Sequence, residues 1–333
     1  VDEAAGPAEL PTIQPSDVIL LDIPMLRSID ADITGVYAVG FPTVTSDFAW
    51  PGADLYTQAG GGWLLGTYWS EGKVATKGIV LEPVLDVAQP WNWDDGSALV
   101  VTSNLPLASS TEEDVLAGAN RACIGEHGRW EVIGFVNVED LGDGEYKLTR
   151  LLRGCVGTEH NTGTSIATDT FVLLDSVGVR RSALPSAATG TSVNWRMVAV
   201  NDRIQNTSDI PFTSENVGDM PLAPVNIVGN RNTDASLVVR WTRRSRCAIT
   251  ADMGTEYPIC EIEERYVVEF RTTLGPAVLR SVEVVDATEF LYSLPAYSAD
   301  VGNQDLTSIP DIHVTVYQIS STVGRGYPGA NIV

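Results

Sequence analysis

The sequence predicts an all-β protein with one or two short helices, in which two associated β-rich domains precede a β-sandwich. Three observations lead to this fold class. Turn-forming residues are plentiful, with 30 glycines and 18 prolines among 333 residues. Apolar and polar residues alternate in many short segments, as they do in half-buried strands. Extended helical patterns are scarce, so we expect strands joined by turns to dominate.

Composition bounds the size and character of these domains. A length of 333 residues allows two or three domains, and 44% hydrophobic with 19% charged residues is typical of chains that bury cores. Residues 1–16 contain three prolines and few apolar anchors, which indicates an extended lead-in. Because the chain begins with Val1 rather than methionine, we expect it to be the ordered part of a longer polypeptide.

The first β-rich domain is predicted over residues 17–110. Its first strand ends at Pro24, and the turns at 50–52 and 60–62 separate the strands that follow. The predicted strands of this domain are short apolar or alternating segments, at 18–23, 36–40, 53–56, 63–65 and 98–101.

The second β-rich domain is predicted over residues 111–219. Thr111 is a candidate N-cap. The three acidic residues that follow it would interact favourably with the positive end of a helix dipole. An apolar stripe at helical spacing follows, formed by Val115, Leu116, Ala119 and Ala122. This pattern predicts the longest helix of the chain, of about three turns, ending near Gly125. A hairpin with arms at 130–138 and 146–152 then turns at residues 142–144, and further strands are predicted at 171–174 and 194–200.

The third domain is predicted over residues 220–333, with its boundary placed near Met220 inside a proline-containing segment at 211–224. Its alternating segments lie at 236–241, 265–270, 278–284, 289–292 and 313–319. The number of strands, their length and Trp241 on an early strand fit an immunoglobulin-like or fibronectin type III-like sandwich.

The charge of the chain limits the classes of binding partner that we expect. The formal net charge is −22. Nucleic-acid phosphates and anionic membrane surfaces need clustered Lys and Arg, so neither partner is expected. Solubility is the simplest role of the acidic surface, and a basic partner or divalent cations are the alternatives. No segment of 18 or more apolar residues is present, so no membrane-spanning helix is predicted.

The four cysteines predict neither a metal site nor a fixed disulfide. Cys123, Cys155, Cys247 and Cys260 form no C-x-x-C pair. Reduced thiols are the default in a cytoplasm, while bridges between Cys247 and Cys260 or between Cys123 and Cys155 are alternatives.

Catalytic and metal-binding patterns are also missing from the sequence. His127, His160 and His313 share no ligand spacing, so each is interpreted as a surface or turn residue. The acidic residues around Gly142 and Gly144 lack the EF-hand arrangement and indicate a plain hairpin turn. We therefore predict no catalytic, cofactor-binding or metal-binding residues.

Residues 148–159, LTRLLRGCVGTE, followed by the apolar strand FVLLD at 171–175, are the most informative part of the chain. This pattern closely resembles the large tail-tip proteins of long-tailed bacteriophages and gene transfer agents, also called megatron, host-interaction or baseplate hub-associated proteins. Further pieces resemble the family's motifs in the family's order, at residues 21–27, 36–39, 50–56, 116–120, 131–135, 239–246, 264–269 and 318–326. The ordered set carries the resemblance, because chance does not keep order and spacing.

The resemblance implies a C-terminal portion of a homotrimeric protein at the distal end of the tail, ending in a fibronectin type III-like domain. Such a protein links the tail tube to receptor-binding parts and takes part in adsorption and DNA ejection. Its expected partners are other copies of itself, neighbouring hub and tail-tube proteins, and receptor-binding proteins or the host surface. The family's upstream hub and hydrolase-like domain have no counterpart here, so no enzymatic role is carried over. The position after Gly154 is often basic in the family and is Cys155 here.

Two groups of residues are candidates for function within this framework. Arg153, Gly154, Gly157, Thr158 and Glu159 form a structural motif, in which a guanidinium ties down a glycine-rich turn through fork-like hydrogen bonds. Arg153 with Glu159 as a catalytic pair is the less favoured alternative. The second group is Arg240, Arg243, Arg244 and Arg246, which either pair with Glu261, Glu263 and Glu264 or dock an acidic neighbouring subunit.

Carbohydrate binding to host surface glycans is the alternative function. Aromatic rings suit sugar rings, although core packing explains most tryptophans. The candidates for exposed aromatic residues are Trp63, Tyr68, Trp69, Trp91 and Trp93. A cell-wall hydrolase is a third option, for which no carboxylate stands out.

Overall fold

The computed structural model describes residues 13–30, 33–44, 49–174, 177–184, 189–246, 259–272, 277–301 and 311–333. These residues contain twenty strands and two short α-helices, which confirms the predicted all-β class with few helices. They divide into two compact units. Unit 1 contains residues 13–23 and 33–218, and unit 2 contains residues 24–30 and 219–333. Most of the predicted lead-in, residues 1–12, lies outside the described residues.

The described part of unit 1 forms thirteen strands and helix α1 (Glu112–Leu116). The strands are β1 (Ser16–Leu21), β2 (Gly35–Pro42), β3 (Ala53–Ala59), β4 (Gly62–Trp69), β5 (Lys77–Leu81), β6 (Trp93–Thr102), β7 (Arg121–Gly125), β8 (Glu131–Gly142), β9 (Glu145–Leu152), β10 (Thr170–Leu173), β11 (Val179–Ala183), β12 (Ser192–Ala199) and β13 (Ile210–Thr213).

Two of the sheets in unit 1 form a sandwich. One has the strand order β1-β2-β11 and the other β13-β12-β3-β4. Their inward residues build one core, in which Leu20, Ala38, Leu55 and Trp195 are buried together. Apolar residues therefore alternate with polar ones along β3 and β12, because one face of that sheet packs and the other does not.

The third sheet is a closed barrel inserted between the strands of this sandwich. Its order is β10-β5-β6-β9-β8-β7, and it has a core of its own that includes Leu99, Phe135, Leu148 and Phe171. The hairpin of β8 and β9 turns at Asp143 and Gly144, as predicted. The predicted domain boundary between residues 110 and 111 does not agree with the barrel. Strands β5 and β6 lie before this boundary, and they pair with β10 and β9, which lie after it.

Helix α1 is much shorter than predicted. Thr111 is its N-cap and accepts the Asp114 backbone N–H at 3.1 Å, as expected, but the helix has only five residues. Gly118 and Asn120 adopt positive φ values of 107° and 47°, which end the helical path. Ala122 then lies on β7 and is fully buried in the barrel core. The apolar spacing that predicted three turns is thus divided between a short helix and a strand.

The described residues of unit 2 form seven strands in two sheets, which confirms the predicted sandwich character. Its elements are β14 (Val225–Arg231), β15 (Leu237–Thr242), β16 (Arg265–Thr272), β17 (Val278–Val285), β18 (Glu289–Tyr292), α2 (Leu294–Val301), β19 (Ile312–Ser320) and β20 (Gly324–Ile332). The sheets have the orders β14-β15-β18 and β17-β16-β19-β20. Trp241, Phe270 and Val316 belong to the core that these sheets share.

Among the described residues, no helix combines the length and apolar character needed to cross a membrane.

Candidate functional site

A buried ion pair stands at the centre of the motif at residues 153–159. Arg153 directly follows β9, Glu131 begins β8, and each residue is 1% exposed. Arg153 Nε donates to Glu131 Oε1 at 2.7 Å and Nη2 donates to Oε2 at 2.9 Å. The guanidinium also reaches the Asp86 carbonyl at 3.1 Å and Asp94 at 3.4 Å. The Arg153–Glu131 ion pair therefore joins the ends of two barrel strands to the segment between β5 and β6.

The rest of the motif folds back on the start of β8. The Gly154 backbone N–H donates to Glu131 Oε1 at 3.1 Å, and Thr158 Oγ1 accepts the Val132 backbone N–H at 2.9 Å. Gly154 has φ 58°, and a Cβ there would lie 2.7 Å from the Glu159 Cα. The residue must therefore be glycine both for its backbone conformation and for space.

These hydrogen bonds are arranged to hold the turn in place rather than to take part in catalysis. Both Glu131 oxygens accept hydrogen bonds from internal donors and the residue is 1% exposed, so the carboxylate is not accessible to a substrate. The carboxylate that Arg153 holds in the fork is that of Glu131. The sequence pointed to Glu131 only as the first residue of the motif piece at 131–135, and its pairing with Arg153 was not expected. An acidic residue that becomes fully buried at the start of an apolar strand requires a cationic partner.

The free thiols are unsuited to nucleophilic chemistry at neutral pH. Cys123 and Cys155 are free, so the alternative in which they bridge each other is wrong. Burial raises the pKa of the Cys123 thiol well above its usual range and raises the pKa of Cys155 to about 11. Cys260 is disulfide-bonded, and its predicted partner Cys247 lies outside the described residues.

The described residues contain no group of three or more His, Cys, Asp or Glu side chains that could hold a metal ion. His127 and His160 are exposed, and His313 is partly buried on β19. The His127 ring lies 4.6 Å from the ring of Phe212.

A second buried carboxylate, Asp22, organises the end of unit 1. Its two oxygens accept the Ser214 hydroxyl at 2.9 Å, the Glu215 backbone N–H at 2.6 Å and the Val217 backbone N–H at 3.0 Å. Asp22 belongs to the piece at 21–27 that resembles the tail-tip family. Burial raises the pKa of the Asp22 carboxyl, against the opposing effect of these hydrogen bonds.

The raised pKa of Asp22 predicts a pH dependence of stability. The neutral form is favoured in the folded state, so the contribution of Asp22 is complete below its unfolded pKa of 3.8 and is lost as pH rises through the folded pKa. Relative to Asp22→Asn, which cannot ionise, the wild type is expected to lose up to about 1.4 kcal/mol per pH unit in that window. Urea unfolding of both proteins between about pH 3.5 and 7 measures this difference.

A difference between wild type and Asp22→Asn that stays flat over this pH range would contradict the role assigned to burial.

The arginine cluster is largely paired inside unit 2. Arg243 contacts Glu264 at 2.8 Å. Arg246 contacts Glu261 at 3.1 Å and Asp219 at 3.3 Å. Arg244 reaches the Ala223 carbonyl at 3.5 Å. These contacts follow the predicted pairing within the domain.

Two details of the arginine cluster differ from the predicted pairing. Glu263 contacts Arg265 at 3.5 Å, outside the cluster. Arg240 pairs with Glu289 at 2.9 Å across neighbouring strands, and the Arg240 side chain is 52% exposed. Arg240 is therefore the member of the cluster best placed for a contact with a partner.

The candidate aromatic residues occupy different environments. Trp69 is 2% exposed and its indole N–H donates to the Gly178 carbonyl at 2.9 Å, so its prediction as an exposed residue is wrong. The Trp93 ring is covered by the Arg150 guanidinium at 4.9 Å. Tyr68 and Trp91 are 62% and 64% exposed. Trp63 is partly exposed and lies beneath Arg196, with 4.4 Å between the guanidinium carbon and the ring centre.

Trp63 also borders a cleft of about 460 Å³ on the outer face of the β13-β12-β3-β4 sheet. The cleft is lined by residues of β3, β4, β12 and the turn after β12, namely Asp54, Tyr56, Trp63, Val198, Ala199, Val200, Asn201, Asp202 and Ile204. Its volume lies in the range of small-ligand sites. Apart from Trp63, none of these residues was expected from the sequence, because the face forms only when strands distant in the chain pair.

Residues 75–172 match a protein-family model that is described as Rcc01698-like, C-terminal. The matched residues coincide with the barrel, which runs from β5 to β10. No curated protein matches the chain.

Proposed function

We propose that this chain is a non-enzymatic structural segment of a bacteriophage tail tip or baseplate. In this role it links the tail tube to receptor-binding parts at the distal end of the virion and takes part in adsorption and DNA ejection. Its β modules hold interfaces with other copies of itself and with neighbouring hub proteins. The stoichiometry proposed from the family resemblance is a trimer.

The observation that carries this proposal is the ordered set of motifs that resembles the tail-tip family. Two of these motifs have a structural role, as expected of a non-enzymatic segment. The turn at 153–159 is fixed by the Arg153–Glu131 ion pair, and Asp22 holds residues 214–217 through three hydrogen bonds. These connections within the chain fix the turn at 153–159 and residues 214–217, as a structural role requires.

Cryo-electron microscopy of intact particles tests the proposal. We expect three copies of this chain around the tail axis at the distal tip, with Arg240 at or near a contact between subunits. Tagging the chain with a short epitope and labelling particles with gold-conjugated antibody gives an independent localisation. Complete, infectious particles that lack the chain would contradict the proposal.

Carbohydrate binding remains the second candidate function. The observation that favours it is the cleft beside Trp63, in which aromatic rings and hydrogen-bonding side chains lie together. A glycan contact would be compatible with a place in the tail tip, since adsorption begins at the host surface.

A further inference from the structure

The outer face of the β13-β12-β3-β4 sheet carries aromatic and polar side chains in register. Residues opposite one another in a sheet share a face, and along a strand the face alternates. Gln58 lies opposite Trp63, Asp54 lies opposite Tyr68, and Arg196 lies opposite Tyr56. Three aromatic rings, those of Tyr56, Trp63 and Tyr68, therefore stand on the face that does not pack into the core.

The amide groups on this face are arranged to meet polar ligands. Asn194 Nδ2 donates to Gln58 Oε1 at 3.1 Å across β12 and β3, and both residues retain further donors and acceptors. Gln58 is exposed and Asn194 is partly exposed. This amide pair lies in the same register row as Trp63, because Gln58 is the residue opposite Trp63.

The turn that closes the cleft is held in place. Asp202 Oδ1 accepts the Arg203 backbone N–H and the Asn206 side-chain amide, each at 2.7 Å. Arg196 Nη1 donates to the Ile204 carbonyl at 2.9 Å and Nε contacts Asp209 at 2.6 Å. The turn after β12, which lines part of the cleft, is thus organised before a ligand arrives, and this lowers the entropic cost of binding.

The charges of the cleft select against anionic ligands. Asp54 and Asp202 line it, and the hydrogen bonds from Asn206 and the Arg203 backbone lower the pKa of Asp202, so two carboxylates repel phosphates and sulfates. The guanidinium of Arg196 lies over the Trp63 ring and is already paired with Asp209, so it does not offset these carboxylates. A neutral ligand with one apolar face and several hydroxyl groups avoids the penalty of an anion, and a cationic ligand is the alternative that the test distinguishes.

We propose that this cleft is a binding site for a neutral saccharide chain. Trp63 and Tyr56 contact the apolar face of a sugar ring. The carboxylates of Asp54 and Asp202 accept hydrogen bonds from its hydroxyl groups, and the Asn201 amide donates or accepts one. The Gln58–Asn194 amide pair extends the site toward the next sugar of the chain. This inference deepens the second candidate function and rests on it, whereas a structural place in the tail tip does not depend on it.

Isothermal titration calorimetry of the purified chain tests the site. The probes are neutral hexasaccharides of glucose, mannose, galactose and N-acetylglucosamine in α and β linkage. We expect the wild type to bind at least one of them, and Trp63→Ala to weaken that binding by about tenfold or more. Asp54→Ala serves as the second variant, because this side chain is partly exposed and its removal leaves the core intact.

Trp91→Ala is the matched control, since Trp91 is 64% exposed and does not line the cleft. It is expected to bind as the wild type does. Wild-type protein that binds none of the hexasaccharides would overturn the proposal, as would equal losses for Trp91→Ala and Trp63→Ala. Binding of hexalysine in place of any saccharide would overturn it in favour of a cationic ligand. Because these titrations use the isolated chain, their failure leaves the particle localisation experiment unaffected.

Discussion

Replacing Glu131 by alanine is expected to lower the free energy of unfolding by about 3–5 kcal/mol, the usual cost of removing one partner of a buried ion pair. The substitution leaves the Arg153 guanidinium buried with only Asp94 at 3.4 Å as a counter-charge. It also leaves the Gly154 backbone N–H without its acceptor. Urea denaturation followed by circular dichroism measures the loss.

The matched control for Glu131→Ala is Lys147→Ala. Lys147 lies on β9 in the same barrel and pairs with Glu139 at 3.4 Å, but both side chains are exposed, at 42% and 64%. Its removal is expected to cost less than about 1 kcal/mol. Losses of similar size in the two variants would contradict the importance that we assign to burial.

A double variant separates the cost of an unpaired buried charge from the cost of losing the hydrogen bonds to the backbone. Apolar replacement of a buried ion pair is often neutral, but Arg153→Met with Glu131→Leu also removes the partners of the Gly154 N–H and the Asp86 carbonyl. We therefore expect the double variant to remain destabilised by about 1–3 kcal/mol, the cost of unsatisfied backbone groups. A double variant as stable as the wild type would show that the pair is dispensable for the turn.

Gly154→Ala is expected to destabilise unit 1 by about 2–5 kcal/mol, from left-handed backbone strain together with overpacking. Gly154 has φ 58°, and the added Cβ would lie 2.7 Å from the Cα of Glu159, which is backbone and cannot move aside cheaply. The expected result is a lower unfolding midpoint in urea, with loss of the native turn around Thr158.

Gly60→Ala isolates the strain from the clash. Gly60 has φ 57°, nearly the value at Gly154, and a Cβ there would meet nothing within 4 Å among the described residues. This variant is expected to cost only the left-handed strain, about 1–2 kcal/mol. If Gly60→Ala and Gly154→Ala lose equal stability, the close approach of Glu159 is not what requires glycine at the motif.

Local chemistry explains why several elements were predictable. The Asp143-Gly144 turn has positive φ at both residues, which its sequence favours strongly, and the hairpin of β8 and β9 follows. Thr111 caps α1 because a hydroxyl at that position satisfies a free backbone N–H. Alternation along β15 and β19 placed Trp241 and Val314 in the core of unit 2. Each of these features depends on a few neighbouring residues.

The sequence by itself determined the all-β class, the sandwich character of unit 2 and the glycine requirement of the turn at 153–159. Only the tertiary structure decided that β5 and β6 close a barrel with β7–β10, that Glu131 is the carboxylate held by Arg153, and that Tyr56, Trp63 and Asp202 meet at one cleft. The physical reason is the distance along the chain over which each kind of interaction acts. Alternation and turn residues act within a strand or a hairpin, whereas strand pairing brings together residues far apart in the chain, and no local pattern states which strands will pair.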